Sequence, residues 1–149
     1  MSYFIQLLTA FTGSLGFALL FNVREKKLIP AAIGGLISWA VYLLAGLLTP
    51  TAAIQYFMAS IVLTFYAEIF ARVKKAPATI FLVSGAIPLF PGGRLYQTMN
   101  AAVKGNWKSF GYQGLETIII ALAIAVGMLC TMTIFRIRNH SRKECICQK

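Results

Sequence analysis

Acidic residues are scarce in this 149-residue chain, which has no aspartate and only four glutamates against 14 lysines and arginines. Paired catalytic carboxylates therefore have little material to be built from. The single histidine, His140, has no nucleophile beside it, and neither a phosphate-binding loop nor a dinucleotide fingerprint occurs. Enzyme chemistry has almost nothing to stand on. Three cysteines are too few for a disulfide scaffold, and Cys145 and Cys147 lie in a basic tail expected to face the reducing cytosol. With His140 they match no structural zinc spacing and lack a fourth ligand, so a solvated tail is the better reading. No metal or organic cofactor is expected.

What the chain has in abundance is apolar side chain, 58% hydrophobic residues against 12% charged, a balance outside that of soluble domains. A net charge of +10 is compatible in principle with nucleic acid. A nucleic-acid-binding domain, however, gathers its bases on one folded face, whereas here they punctuate hydrocarbon-length runs, as orientation signals do. The expected partner is the lipid bilayer, with no nucleic acid.

A helix needs about 20 apolar residues to cross roughly 30 Å of hydrocarbon. Residues 2–21, 28–48, 51–71 and 115–135 meet that length. The first of them lacks the basic start of a signal peptide and reads as a retained span. Residues 76–93 are uncharged too, but Pro88, Pro91, Gly92 and Gly93 interrupt them. Proline removes a backbone donor and clashes with the preceding turn, and the helix before the break would be only about 18 Å long. Beyond it, Leu95, Met99 and Ala102 fall on one helical face and Tyr96, Asn100 and Lys104 on another, an amphipathic half-helix. Joined across the turn, residues 76–104 are long enough to cross once, leaving 105–114 as a short outer loop. A re-entrant segment ranks second, because it misplaces the basic tail.

The expected fold class is all-α, an integral membrane helical bundle of about five spans with the fourth broken at a Pro-Gly turn. Residues 1–135 form the transmembrane domain and 136–149 a basic cytosolic tail. Arg24, Lys26 and Lys27, then Arg72, Lys74 and Lys75, then Arg136, Arg138, Arg142 and Lys143 follow the first, third and fifth spans. That alternation places the chain in the cell inner (plasma) membrane with its N-terminus outside and its C-terminus in the cytosol. Lys104 and Lys108, in the outer loop, are the one discord.

The most informative segment is Ile87-Pro88-Leu89-Phe90-Pro91-Gly92-Gly93. Non-helical backbone at membrane depth is tolerated only where protein or a water-filled cavity covers it, and transporters bind substrates at such breaks. A half-helix starting after Gly93 directs unpaired N–H groups and its positive dipole end into the break, where a carboxylate can dock. The competing reading is a proline kink that only shapes packing. Tyr96 and Asn100 stand close behind the turn as candidate hydrogen-bonding groups. Arg94 needs a partner or a wet wall along which to snorkel. Glu68 and Arg72, at i and i+4, are either a coupling site or an interfacial ion pair. Glu116 reads as a charge favouring the N-terminus of the last span, and Gly13 with Gly16 and Gly34 with Gly35 as close-approach points between helices.

At Gly16-Phe17-Ala18-Leu19-Leu20-Phe21-Asn22-Val23, at Phe57-Met58-Ala59-Ser60, and above all at Ile87-Pro88-Leu89-Phe90-Pro91-Gly92 followed by Tyr96 and Met99, the chain resembles the small subunit of the threonine/serine exporter family. The resemblance runs in matching order over residues 16–104, and the tail after Phe135 carries none of it. By position it marks Asn22, Glu68, Arg72, Pro88, Pro91, Gly92, Tyr96 and Met99, and it does not require a base at Arg94. It implies a protein equivalent to the C-terminal membrane domain of a longer exporter, working with a larger membrane subunit of the same family. Related two-part systems are linked with succinate export.

The function expected is that of a subunit of a secondary transporter exporting small carboxylate-bearing solutes, threonine or serine. The expected substrate-binding residues are Pro88, Pro91, Gly92, Gly93, Tyr96 and Asn100, with Glu68 and Arg72 as a coupling or ion-pair site. The alternatives are succinate export, a non-transporting membrane scaffold, and a homo-oligomer of this chain that conducts alone. Five spans are few for a secondary transporter, whose sites lie between two repeats or bundles.

Overall fold

The computed structural model describes residues 2–23 and 25–147, with side chains over 3–23 and 27–138. The side chains of His140, Cys145 and Cys147, and those of Arg24, Lys26, Arg142 and Lys143, lie outside the described residues. Six helices and one 3-10 turn, Ile87–Leu89, make up the fold, with no strand among the described residues. α1 (Ser2–Leu20), α2 (Glu25–Leu48), α3 (Ala52–Val73) and α6 (Trp107–Cys147) are each long and apolar enough to cross a membrane. α4 (Ala78–Ala86) and α5 (Gly92–Val103) pass that test only as a pair, bent by 52°. The protein is an all-α membrane bundle of four continuous spans and one broken span.

Three of the helix ends share one device. Asn22, Lys75 and Gly105 take positive φ (51°, 47° and 70°) one residue past a C-cap. In each case the next residue's amide reaches back to close the motif: Val23 to Ala18 O, Ala76 to Ala71 O and Asn106 to Ala101 O. These paired reversed bonds satisfy carbonyls that a helix end leaves bare. Asn22, which the family resemblance marks, thus has a backbone role. Asn106 also starts the next helix, its Oδ1 accepting the Ser109 amide at 3.2 Å as an N-cap does. The outer loop expected over 105–114 is therefore only Lys104 to Asn106, and α6 begins at Trp107. α6 has 41 residues, roughly 60 Å, about twice the hydrocarbon thickness, and it passes residue 135 without a break.

Lipid is as apolar as leucine, so helix association in a membrane rests on close packing of small residues and on polar contacts. The buried set obeys this, being mostly Ala, Ser and Thr, with Phe81, Leu63, Leu89 and Ile120 as its large fully enclosed members. A Cβ on Gly35 would strike the Ser14 hydroxyl of α1, and one on Gly127 would strike Ser60 Oγ of α3 and approach Phe57 O to 3.1 Å. At Gly34 a Cβ would press the Tyr66 ring at 3.2 Å. The Ser38 hydroxyl is shared between Gly35 O (2.9 Å) and Gly85 O (3.0 Å), tying α2 to α4, and Tyr66 Oη donates to Pro30 O at 2.8 Å. Gly34 and Gly35 are close-approach points as expected, whereas Gly13 and Gly16 are exposed and have open space around them. α1 instead buries Ala10, Ser14 and Ala18, a small-residue row at i, i+4 and i+8 on another side of the helix.

The contacts fix helix direction. α3 and α6 run parallel, since Ser60 meets Gly127 and Phe65 stacks near Phe135 (5.3 Å) further along both. α4 runs against α3, pairing Phe81 with Phe70 (6.4 Å) before Gly85 reaches Leu63. α5 runs against α6, from Arg94 beside Glu116 towards the Lys104 turn. The half-helices thus travel the same way, away from the end where α3 terminates, and the segment crosses without turning back.

Glycine at a position of positive φ relieves strain that an L side chain carries, about 1–2 kcal/mol. Lys75→Gly is expected to raise stability in detergent by about 1 kcal/mol, and Gly105→Ala to lower it by a similar amount. Gly35→Ala is expected to lower the melting temperature and Gly13→Ala to leave it unchanged, each read from a thermal unfolding curve of the purified chain.

Candidate functional site

Proline dictates the geometry of the break. Pro88 and Pro91 carry no amide proton, so the helical ladder cannot run through 87–91. The chain instead closes a 3-10 turn by Phe90 N–H to Ile87 O (3.2 Å) and then a three-residue turn by Gly92 N–H to Phe90 O (2.7 Å). Pro91, at φ −77° and ψ 55°, sits at its centre, the inverse γ conformation. Leu95 is the first residue of α5 to rejoin the ladder, onto Pro91 O at 3.0 Å. Among the described residues, the amides of Gly93 and Arg94 have no backbone acceptor. The half-helix expected to start after Gly93 starts at Gly92, whose own amide Phe90 O takes.

The break lies at the depth of an apolar span. Leu89 packs in a cluster with Tyr56, Ala59, Leu63, Ala86 and Ile120, and Phe90 and Pro91 line an apolar cavity of about 360 Å³ with α6 residues that include Ile124 and Met128. Pro91 is buried and Pro88 half-buried, while Gly92 and Gly93 are exposed with open space where a Cβ would stand.

Among the described residues α5 brings its backbone close to α6 and to no other helix, and it does so through its polar side. Arg94 Nη1 donates to Glu116 Oε2 at 2.6 Å, Thr98 Oγ1 lies 3.4 Å from Thr117 Oγ1, and Gly114 admits Thr98 to close contact. One expectation is corrected. Glu116 is far inside α6, beyond the reach of the helix N-terminus, and it serves Arg94 instead. The stripe of Leu95 and Met99 is exposed, as is Tyr96 at 72%, because small Thr98 and Ala101 allow the close approach to α6. Tyr96 and Asn100, one turn apart on the same helix, differ in burial. Asn100 is half-buried in a polar cavity of about 350 Å³ with Gln97, Lys104, Asn106, Ser109 and Gln113, and the Oε1 of Gln113 is buried without a donor among the described residues.

Glu68 and Arg72 lie apart from the break, in the second half of α3. Their ion pair spans 3.8 Å, and the Arg72 guanidinium stands 5.0 Å over the Phe135 ring, a cation–π contact. Among the described residues no group of three or more His, Cys, Asp or Glu can hold a metal ion. Reasoning from the sequence missed Glu116 as the partner of Arg94 and missed the Gln97–Gln113 cavity. The first was within reach, since Glu68 and Glu116 are the only acids inside the spans.

A bundle of apolar helices with one span broken at depth, bare amides at the break and a cross-helix ion pair behind it has the architecture of a membrane transport protein. A family model described as Threonine/Serine exporter, ThrE, matches residues 6–134. The chain belongs to the threonine/serine exporter family, one of transporters and not of enzymes, and has an exporter-type transport role. No curated protein and no solved structure matches it.

An ion pair within a span leaves an uncompensated charge when one partner is removed. Arg94→Met or Glu116→Leu alone is expected to lower thermal stability more than the double variant does. A double-mutant cycle on purified protein is expected to return a coupling of about 0.5–3 kcal/mol.

Proposed function

We propose that this chain is one subunit of a secondary transporter that exports small carboxylate-bearing solutes, threonine and serine first, across the inner membrane. In this reading it works with a larger membrane subunit of the same family. The observation that carries the proposal is the pair of bare amides, Gly93 and Arg94, at the start of α5 within an apolar span. A carboxylate there satisfies both donors and meets the positive end of the α5 dipole. Arg94, now held by Glu116, can exchange that carboxylate for the solute's, while Asn100 and Tyr96 supply hydrogen bonds. Pro88 and Pro91 keep the turn from relaxing into helix.

The larger partner is supported by what α5 leaves uncovered. Gly92, Gly93, Tyr96 and Met99 are all exposed on this chain, and bare backbone polar groups are not stable against lipid. A second subunit seated there encloses the site from the other side, as the two halves of a secondary transporter do. In this reading the end where α1, α3 and α6 finish, beside this chain's own basic clusters, faces the cytosol. Glu68, paired with Arg72 at that end, is the group we assign to proton coupling.

Export of labelled threonine, serine and succinate is to be measured from cells carrying each variant at matched membrane levels. Gly92→Leu and Asn100→Ala are expected to reduce flux of the true substrate at least tenfold, and Glu68→Gln to make the remaining flux insensitive to a protonophore. Unchanged flux of all three solutes in Gly92→Leu and Asn100→Ala would remove the site. Succinate flux alone responding would identify a dicarboxylate exporter.

A further inference from the structure

Lys104 and Lys108 are the bases that the orientation rule does not account for, since they stand at the end of the bundle opposite to the one where α1, α3 and α6 finish. Lys108 is exposed and lines no cavity described above. Lys104 has a defined place. It lines the polar cavity of about 350 Å³ between α5 and α6, together with Gln97, Asn100, Asn106, Ser109 and Gln113. Both acids within the spans are already engaged, Glu68 by Arg72 and Glu116 by Arg94, so among the described residues Lys104 has no carboxylate to pair with.

Matched spacings build that cavity. Gln97, Asn100 and Lys104 fall at i, i+3 and i+7 on one side of α5, and Asn106, Ser109 and Gln113 repeat the same intervals at the start of α6. The two helices are antiparallel neighbours joined by a short turn, so the two rows wall one space, and Ala101 between them is small enough to leave it open. Six of the seven lining residues are polar and none is acidic, whereas the cavity of similar size at Phe90 and Pro91 is apolar. The negative end of α5 and the positive end of α6 meet at this turn and largely offset each other, so Lys104 sets the sign of the cavity. Its inner end adjoins the break. Gln97 is one turn beyond Arg94 and Gln113 one turn before Glu116, and Asn100 is about 10 Å along α5 from Gly93. The volume falls within the ~300–1,000 Å³ of small-molecule pockets.

We propose that this cavity is an exit station of the exporter, where the Lys104 ammonium holds the carboxylate of a departing solute and Gln97, Asn100 and Ser109 hydrogen-bond its other polar groups. It rests on the exporter reading and extends it by one stop, from the amides of Gly93 and Arg94 past the Arg94–Glu116 pair to the outer turn, with Asn100 serving both places. Gln97 and Lys104 are exposed and Asn100 and Ser109 half-buried, so the lining is open to a solute at the outer face. A single exposed cation holds a carboxylate weakly, which suits a station that the solute has to leave. The competing role is a lysine that only complements the C-terminal end of α5 or meets a lipid headgroup at the interface.

The test is efflux of labelled threonine, serine and succinate from preloaded cells into medium holding graded amounts of the same solute unlabelled, for wild type, Lys104→Gln, Lys104→Arg and Lys108→Gln at matched membrane levels. Thermal stability of each purified full-length chain is measured in parallel. External solute that occupies the exit station alters labelled efflux with a half-effective concentration. A charge-assisted contact in a half-open site is worth about fivefold in affinity. Lys104→Gln is therefore expected to raise the half-effective concentration about fivefold, Lys104→Arg to bring it back near the wild-type value, and Lys108→Gln to leave it unchanged. A lysine that only completes the helix end or anchors to lipid would show the reverse, a lower melting temperature in Lys104→Gln with an unaltered half-effective concentration. That result overturns the station, as does an equal rise in Lys108→Gln, which would assign the effect to surface charge. If external solute leaves wild-type efflux unaltered, the station is also overturned, and in each of these cases the exporter reading stands. If wild type exports none of the three solutes above cells lacking the chain, the exporter reading fails and the station with it.

Discussion

Every backbone polar group inside a bilayer has to find a partner within the protein, because no water is there to supply one. Four continuous spans meet that demand by being helical from end to end. The segment between Ile87 and Leu95 cannot, since two of its residues have no amide to donate and the ladder has to be rebuilt around them. It recovers part of the loss with a 3-10 turn and an inverse γ turn, spending the Gly92 amide in the process. What is left over, two amides at the head of α5, is the chemical asset of the fold.

The second constraint is that apolar burial contributes nothing to helix association in lipid. The bundle is held by notches, with Ser14 over Gly35, Ser60 over Gly127 and Leu63 against Gly85, and by hydroxyls shared between helices, as Ser38 is between α2 and α4. Notches bring backbones together without filling every space beside them. A crevice of about 230 Å³ lined by Ala10, Gly13, Trp39 and Pro88 follows from this, because a row of Ala10, Ser14 and Ala18 brings α1 close to α2 but offers no bulk to fill the gap towards the 3-10 turn. In one respect the packing and the polar groups are the same feature, for Ser14 is both the knob that seats in Gly35 and an unspent donor.

The spans, the break and the helical class were legible in the sequence because each rests on a one-dimensional signal, twenty apolar residues or a proline within them. The end of the outer loop was not, since Gly111 and Gly114 read as loop residues while Asn106 caps a helix that simply runs through them. Which face of α5 packs was not legible for a similar reason. Periodicity names an apolar stripe, but in lipid the apolar stripe has no need of protein, and the small, polar Thr98 and Ala101 face inward. Gly13 and Gly16 illustrate the converse, small residues that no helix of this chain uses. The pairing of Arg94 with Glu116, 22 positions apart, depends on how the hairpin of α5 and α6 closes, yet it was open to elimination. A base at mid-span requires an acid, and only two acids are available within the spans.

The uneven coverage of α5 bears on how this chain would operate in a transporter. α4 is wedged among α1, α2 and α3, whereas among the described residues the backbone of α5 comes close to α6 alone, so the two halves of the broken span have different main neighbours. A rigid helix could not be shared in this way, because any shift of α6 would be transmitted to the rest of the bundle through it. A turn whose residues carry few ladder bonds can absorb such a shift at little cost. Within the proposed assembly, the Arg94–Glu116 pair then serves as the latch that makes α5 move with α6, while Pro88, seated against Gly35, keeps α4 with α1 and α2. Alternating access in this reading is a change of angle at Phe90 and Pro91.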